Sequence, residues 1–427
     1  MRKEVENVKY HKINKPCVPA EEFMKYYLEH SYNENMFNKN GSINYNYNSQ
    51  KKSGLIAQII EDNWDSYYQI NKNIIDKFRP NAPIEIKKII DCHNKNLGCS
   101  AYECPNCHDI IFVGNTCKSR FCTSCGYKYK NERVENILQH AINCKHRQIV
   151  FTIPKEMRIY FFSFKNMNLL FQAVNIVLDS IIHSKFRKNK KGEVKKYKIN
   201  LFYRIGFYAF LHTFGRDMKW NPHIHVLIAE KMFNKINAME KSLNYFDYNS
   251  LSIRFQKVLL DLMKDIIPKN VINQIYKNHK KGFYVYAEPK KFTSIKDGIE
   301  YVARYCGRPA ISENRIISYD KEKNLVTFCY NAHEDDSYHE ITISAFDFIS
   351  LLLRHLLPYQ FKSIRAYGFY RKKLPFHDTI NLLVKQHLRK FRNQLLKYEL
   401  SITKSFGHSP FDCPNCSTHM NFLCVVT

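Results

Sequence analysis

The stretch FYAFLHTFGRDMKWNPHIHVLIAE, from Phe207 to Glu230, is the segment around which the chain is organised. It predicts a β-hairpin with strands over Tyr208–Phe214 and His223–Ile228, joined by a polar turn. Side chains alternate between the two faces of a strand, so His223 and His225 project to one side and the apolar residues between them to the other.

A third histidine is expected on the same face. A hairpin centred on the polar turn places Phe214 opposite His223 and His212 opposite His225. Directly opposed residues share a face with their Cβ atoms about 5 Å apart, so three imidazoles converge on one patch that could hold a divalent metal. His212 is the first choice for the third ligand and Asp217 the second. A slip of one residue in register would turn His212 to the other face.

A second pattern lies downstream, in EYVARYCGRPAIS at Glu300–Ser312. A capping-box pattern predicts a helix that begins near Ile295. Tyr301 and Tyr305 are one helical turn apart and share a face of it. With 29 tyrosines in the chain, such a pair also arises by chance. The helix carries two arginines that either bind phosphate or are simply solvated, Arg304 and Arg308.

Cysteines form the third pattern. Cys104–Cys107 and Cys122–Cys125 are two C-x-x-C knuckles separated by 14 residues, which is typical of a tetrahedral zinc ribbon. Cys92 and Cys117 could form a second site or exchange with these ligands. Two basic residues beside the ribbon belong either to a DNA-reading module or to a solvated face, Lys118 and Arg120.

Another knuckle, Cys413–Cys416, lies in the basic tail. We expect a second zinc site there, completed by one or more of three nearby residues, His408, His419 and Cys424.

Composition favours a polyanionic partner. The 427 residues include 66 Lys and Arg against 39 Asp and Glu, a net charge of +27. An AT-rich genome would enrich Lys and Asn as well. No apolar run is long enough for a transmembrane helix, and the first residues lack the apolar core of a signal peptide. The expected location is the cytoplasm, where the 14 cysteines are metal ligands or thiols rather than disulfides.

Together these patterns resemble one family. A His-hydrophobic-His strand followed by a Tyr-x-x-x-Tyr helix is similar to the two-tyrosine HUH single-strand endonucleases. The flanking sequence narrows the resemblance to the rolling-circle insertion-sequence transposases that carry an N-terminal zinc-binding domain. The resemblance spans Asp91 to Tyr370, and its segments occur in the family's order: IVFTIP at Ile149–Pro154, LHTFG at Leu211–Gly215, NPHIHVLI at Asn221–Ile228, YVARYCGRPAIS at Tyr301–Ser312 and LPYQFKSIRAYGFY at Leu357–Tyr370.

The resemblance implies an α+β fold. Its HUH endonuclease core is an antiparallel sheet backed by helices, ferredoxin- or RRM-like, preceded by a zinc ribbon. The expected divisions are a polar and helical lead-in (1–85), the zinc ribbon (86–128), a linker helix (129–146), the nuclease core (147–312), an α/β extension (313–372) and a basic tail with a zinc knuckle (373–427).

The function implied is nicking and rejoining of single-stranded DNA at transposon ends and target. Mg²⁺ or Mn²⁺ would polarise the scissile phosphate, Tyr301 or Tyr305 would form a 5′-phosphotyrosine, and Zn²⁺ would be structural. No P-loop motif is present, so strand separation would come from a host helicase or the replication machinery, at the bacterial nucleoid. Two alternatives remain: a plasmid or phage rolling-circle replication initiator, and a non-catalytic zinc-dependent DNA-binding protein.

Overall fold

The structure is a computed structural model that describes residues 17–18, 54–92, 97–119, 121–183, 185–188, 194–197, 203–234, 236–243, 246–286, 298–299, 301, 310–332, 335–371 and 386–426. Its α-helices are α1 (Leu55–Phe78), α2 (Ala82–Ile90), α3 (Thr123–Leu138), α4 (Phe164–His183), α5 (Tyr248–Leu262), α6 (Lys269–Asn278), α7 (Ala345–Arg354), α8 (Gln386–Gln394) and α9 (Tyr398–Phe406).

The strands pair into four sheets. They are β1 (Cys17–Val18), β2 (Cys99–Glu103), β3 (Ile110–Gly114), β4 (His146–Thr152), β5 (Lys185–Lys188), β6 (Val194–Tyr197), β7 (Tyr203–Phe214), β8 (Trp220–Asn234), β9 (Glu240–Ser242), β10 (Val285–Tyr286), β11 (Ile316–Asp320), β12 (Leu325–Asn331), β13 (Tyr338–Ser344), β14 (Ile364–Gly368) and β15 (Asn421–Val426).

The central sheet has the order β10-β4-β8-β7-β14, with β9 paired to β8, and its pairings are antiparallel. β7 is buried along almost its whole length because both faces are covered. One face packs on α4 and α5, where Phe171 and Phe255 are fully buried. The other face packs on the end of α3 and on Tyr370. The predicted α+β class with antiparallel sheets is confirmed, whereas a ferredoxin- or RRM-like arrangement stays a prediction.

The N-terminal helices share a core with the segment that begins at residue 310. Residues of α1 and α2 pack with cysteines of the ribbon, with the three-stranded sheet β11-β12-β13 and with α7. Arg79 fastens this core: its Nε donates to the carbonyl oxygen of Leu353 (3.1 Å) and its Nη2 to that of Arg354 (2.8 Å), at the last turn of α7. The helical part of the lead-in (1–85) and the extension (313–372) therefore pack together, although the sequence divided them into separate units.

The tail also folds back on the front of the chain. β15 lies between β1 and β2 in the sheet β1-β15-β2-β3, and it pairs antiparallel with β2 from Asn421 opposite Glu103 to Val426 opposite Cys99. The segment that the sequence assigned to a separate basic tail (373–427) thus supplies a strand of the ribbon expected at 86–128. Among the described residues, none of the helices combines the length and the hydrophobicity needed to span a lipid bilayer.

Candidate active site

The histidine hairpin forms with a register that differs from the predicted one. His212 lies opposite His223 and Phe210 opposite His225, with an irregularity between His212 and Phe214. The turn causes the difference, because it closes with a hydrogen bond from Gly215 N to the Lys219 carbonyl oxygen (3.3 Å) and is centred earlier than expected. The predicted pairing was wrong by two residues, and an even shift keeps His212 on the histidine face.

The three imidazoles converge as expected. His212, His223 and His225 each offer a ligand nitrogen, and these nitrogens lie within 4.8 Å of one another. His223 Nε2 and His225 Nε2 are 3.0 Å apart. His212 is buried, with 3% of its surface exposed. Three imidazoles at this spacing fit a transition-metal ion better than Mg²⁺, which prefers oxygen ligands.

The surroundings orient these rings as ligands. His223 Nδ1–H donates to the Asn221 carbonyl oxygen (2.7 Å), which leaves Nε2 with its lone pair toward the cluster. The side-chain amide of Gln148 lies 2.9 Å from His225 Nδ1. Burial lowers the pKa of His223 to about 4 and the pKa of His225 well below its usual value. Both rings are therefore neutral at pH 7, which is the protonation state that binds metal.

Asp217, the alternative ligand, lies outside the histidine cluster. Its carboxylate accepts a hydrogen bond from Lys219 N (3.1 Å) and forms an ion pair with Lys219 Nζ (3.2 Å). In this structure it stabilises the hairpin turn.

Tyr301 packs on the sheet face that carries the histidines. Tyr208, Phe210 and Leu227 lie on this face, because they are an even number of residues from the histidines on the same strands. They form one apolar cluster with Ile299, and Tyr301 packs against it. Both Ile299 and Tyr301 are helical, as predicted. The other predicted residues of this helix lie outside the described residues: Arg304, Tyr305 and Arg308.

The cysteines form two clusters of four, grouped differently from the prediction. One consists of Cys92, Cys117, Cys122 and Cys125, and the other of Cys104, Cys107, Cys413 and Cys416. The expected set of Cys104, Cys107, Cys122 and Cys125 is therefore not brought together. Strand β3 keeps the two knuckles apart, because five extended residues span about 17 Å.

Burial and sulfur spacing distinguish the first cluster from ordinary thiols. Cys117, Cys122 and Cys125 are buried and Cys92 is half-buried. The Cys125 sulfur lies 3.5 Å from the sulfurs of Cys92 and Cys117. A disulfide needs about 2.0 Å, whereas four sulfurs at about 2.3 Å from one zinc ion are about 3.8 Å apart. The geometry fits zinc and not disulfides.

The described residues among the remaining candidates are not members of these clusters. Lys118 is exposed beside Cys117, and Arg120 is outside the described residues. His419 forms ion pairs with Glu399 and Asp412, and Cys424 lies in β15. His408, His419 and Cys424 therefore do not complete the site of the C-terminal knuckle, because Cys104 and Cys107 take those positions.

Two residues near the histidines were missed by the sequence reasoning, Gln148 and Arg158. Gln148 is a buried amide directly before the apolar run Ile149–Phe151 of β4, and this position was the available signal. Arg158 lies in the 3-10 helix Lys155–Phe161, where its carbonyl oxygen accepts from Trp220 Nε1 (3.1 Å). Its Nε is buried and has no hydrogen-bond partner among the described residues. No local sequence pattern marked it.

Comparison with known proteins places this geometry in a family context. Residues 206–375 match a family model described as "Putative transposase", and residues 59–153 match one described as "Transposase zinc-binding domain". The "Transposase for insertion sequence element IS801" of Pseudomonas savastanoi pv. phaseolicola is 24% identical over 368 residues, which cover 80% of this chain and 83% of that relative. "Putative transposase y4qJ" of Sinorhizobium fredii (strain NBRC 101917 / NGR234) is 25% identical over 300 residues, covering 65% of this chain and 71% of that protein.

Among solved structures, "Conjugative Relaxase TrwC in complex with mutant OriT Dna" is 14% identical and aligns over 41% of this chain and 69% of that one. Its TM-score of 0.22 is too low to support an argument about the fold. The zinc-binding model covers the whole of the first cysteine cluster, and the transposase model covers the histidine hairpin and Tyr301. The chain belongs to the insertion-sequence transposases that carry a zinc-binding domain.

Proposed function

We propose that this transposase nicks and rejoins single-stranded DNA through a 5′-phosphotyrosine, as in rolling-circle transposition by HUH endonucleases. The observation that carries the proposal is that Tyr301 packs on the same face of the central sheet as His212, His223 and His225. A nucleophile and a metal site on one sheet face could act on a single phosphate.

The chemistry follows from these groups. The phenol oxygen of Tyr301 or Tyr305 attacks phosphorus, the bond from phosphorus to the 3′ oxygen breaks, and the phenol proton ends on that oxygen. The products are a 5′-phosphotyrosine and a free 3′-OH, so the strand can be rejoined without another energy source. His212, His223 and His225 would hold a divalent ion, Mg²⁺ or Mn²⁺ by family resemblance, and this ion would neutralise charge at the scissile phosphate.

Arg158 is our candidate for a direct phosphate contact. Its carbonyl oxygen accepts a hydrogen bond from the indole N–H of Trp220, which lies on β8 three residues before His223. A buried guanidinium N–H without a partner loses the hydrogen bond that it would make in water, and a phosphate oxygen would restore it. A guanidinium also matches phosphate geometry better than an ammonium group does.

The first cysteine cluster has a structural role in this proposal. We infer that Cys92, Cys117, Cys122 and Cys125 hold Zn²⁺ at the start of α3, the helix that also packs its far end on the histidine face. One continuous helix, α3, would then connect the zinc-binding domain to the central sheet. Single-stranded DNA would bind beside this helix.

The proposal is tested with a labelled single-stranded oligonucleotide that carries an end of the element, with Mn²⁺ or Mg²⁺ added. We expect a covalent protein–DNA adduct on a denaturing gel that disappears in the double variant Tyr301→Phe/Tyr305→Phe. The single variants rank the two tyrosines. Tyr284→Phe is the matched control, because Tyr284 is an exposed tyrosine in the same region of the chain.

Two outcomes would overturn the proposal. Metal-dependent adduct formation that persists in the double variant would mean that another nucleophile acts. Binding of the correct DNA end without any adduct would support a non-catalytic, zinc-dependent DNA-binding protein instead.

A further inference from the structure

The second cysteine cluster joins parts of the chain that are distant in sequence. Cys104 and Cys107 follow β2, and Cys413 and Cys416 precede β15. The sulfurs of Cys104 and Cys416 are 3.4 Å apart, those of Cys107 and Cys413 are 3.5 Å apart, and those of Cys107 and Cys416 are 3.8 Å apart. These distances exceed a disulfide bond and agree with the edges of a tetrahedral zinc–thiolate site, about 3.8 Å.

The two halves of this cluster have the same sequence and the same backbone. Each is Cys-Pro-Asn-Cys followed by a residue in the left-handed region, His108 (φ 57°) and Ser417 (φ 58°). His108 N donates to the Cys104 carbonyl oxygen (2.9 Å), and Ser417 N donates to that of Cys413 (2.8 Å). The two turns therefore have the same backbone geometry, and their sulfurs face each other. This arrangement is expected of a pair of metal-binding knuckles.

A polar contact also joins the knuckles. The Asn415 amide donates to the Asp109 carboxylate, and Cys104 N donates to the Asp109 carbonyl oxygen (2.9 Å). The same Asp109 therefore closes the first knuckle and bonds to the second. Among the described residues, the core at this site has five buried members, two of which are cysteines of the cluster: Tyr102, Cys104, Phe411, Cys413 and Met420. A core this small needs a metal or another cross-link to be stable.

We propose that Cys104, Cys107, Cys413 and Cys416 bind one Zn²⁺, separate from the ion held by the first cluster. This second zinc would attach the C-terminal segment to the zinc-binding domain. Residues 104–107 and residues 413–416 would each supply two of its ligands. It lies partly outside residues 59–153, which match the zinc-binding family model.

Contacts beyond the cysteines support the same attachment. Helix α9, which precedes the second knuckle, lies against α3: Ser401 Oγ donates to Glu132 (3.0 Å) and Asn131 donates to Ser405 Oγ (3.0 Å). Glu135 on α3 is 2% exposed at its side chain and pairs with Arg392 (2.8 Å) and with Lys404. The ion pairs join α8 and α9 to α3, and the proposed zinc would hold the part of the chain that follows α9.

The test counts thiolate-bound metal in the full-length chain. The protein is reconstituted with Co²⁺, because thiolate-to-cobalt charge-transfer absorption reports the cysteine sites and not the histidine site. We expect two cobalt equivalents with this absorption in the unaltered protein and about one in Cys413→Ala/Cys416→Ala. Cys329→Ala is the control and should keep both, because Cys329 lies in β12, outside both clusters.

A ligand-preserving variant keeps the test decisive if the double variant fails to fold. Cys416→His supplies another zinc ligand at the half-buried position, so it should retain two bound metal ions, whereas Cys416→Ala should lose one. The proposal is overturned if the unaltered protein holds one thiolate-bound ion, or if Cys416→Ala binds as much metal as Cys416→His. Neither result would bear on DNA nicking, which uses the histidine site.

Discussion

His212 lies directly opposite His223 across strands β7 and β8, in the middle of the central sheet. Their rings meet edge to face with centroids 5.3 Å apart, and the His225 ring centroid is 4.1 Å from that of His212. Sites built on paired strands are held more rigidly than sites on loops. The geometry of the candidate metal site is therefore fixed by the sheet, and changes in its immediate surroundings should alter metal affinity without unfolding the chain.

Gln148 provides the first test of this site. Replacement by leucine should weaken Mn²⁺ binding about 10- to 100-fold, the usual effect of losing a group that orients a metal-binding histidine. In the structure the amide nitrogen of Gln148 faces His225 Nδ1, whereas the carboxylate of Gln148→Glu would accept from Nδ1–H and leave Nε2 free for the metal, so this variant should bind Mn²⁺ at least as tightly as the unaltered protein. Both affinities are obtained from the Mn²⁺ dependence of adduct formation. Equal affinities in the two variants would show that Gln148 does not orient the ring.

Arg158 tests the proposed phosphate contact. Arg158→Ala should slow cleavage of single-stranded DNA about 10- to 100-fold through the loss of a charge-assisted hydrogen bond. Arg158→Lys should restore only part of the rate, because lysine lacks the planar fork. Lys155→Ala, an exposed residue of the same 3-10 helix, is the control and should cleave normally. Rates are measured at saturating Mn²⁺, and a normal rate for Arg158→Ala would exclude this role.

Gly368 and Gly407 form a matched pair for a stability experiment. Both have positive φ, 59° and 84°. A Cβ at Gly368 would lie 1.6 Å from the Ile205 carbonyl oxygen, whereas a Cβ at Gly407 would meet nothing within 4 Å. Gly407→Ala should lower the free energy of unfolding by about 1–2 kcal/mol, from backbone strain alone. Gly368→Ala should cost more, about 3 kcal/mol or above, because β14 must separate from β7.

Urea unfolding followed by circular dichroism compares these two variants under one condition. The larger loss is expected for Gly368→Ala, which should also disturb the adjoining Phe369 and Tyr370 on the histidine face. Equal destabilisation by the two alanines would contradict the close approach of β14 and β7.

His146 predicts how stability depends on pH. Its Nδ1–H donates to the Cys144 carbonyl oxygen (2.8 Å) and its Nε2 accepts from Tyr370 O–H (2.7 Å), so the ring is held neutral. Burial lowers the pKa of His146 to about 4 in the folded state, against about 6.5 when unfolded. The unfolded state therefore binds the proton first, and this contribution to stability is present above pH 6.5 and declines as the pH falls toward 4.

Between pH 7 and pH 5 the loss due to His146 should be on the order of 2 kcal/mol. It is measured by urea unfolding at the two values, with His146→Asn as the variant that removes this dependence. His339→Asn is the control, since His339 is on the exposed part of β13, where it contacts Ser337 Oγ (2.9 Å). A variant with the same pH dependence as the unaltered protein would contradict the assignment.

The sequence predicted elements whose pattern is local. The helical part of the lead-in expected at 1–85 forms α1, in which Ile56, Ile60 and Trp64 follow one another at four-residue spacing and are buried on one side. The hairpin strands were also found, although both are longer than expected. Their register was missed because it depends on the turn at Gly215–Lys219 and on an irregular pairing, neither of which has a sequence signature as clear as Asn-Gly.

The grouping of the cysteines could not be predicted from their spacing in the sequence. A spacing of 14 residues is compatible with a shared site only if the chain between the knuckles turns back, but β3 carries it away. The true partners of Cys104 and Cys107 are 306 and more residues distant, where they are brought close by the pairing of β15 with β2. Only the identical Cys-Pro-Asn-Cys sequence linked the two knuckles in advance.

That same pairing constrains how the protein is made. Residues Cys104 and Cys416 are 312 positions apart, so at a synthesis rate of 5–20 residues per second the ribosome needs about 15 to 60 s to pass from one to the other. During this interval β2 is paired with β3 but lacks β15, and the first knuckle lacks its facing cysteines. A prematurely terminated product would therefore carry the histidine hairpin without the strand β15 and without Cys413 and Cys416.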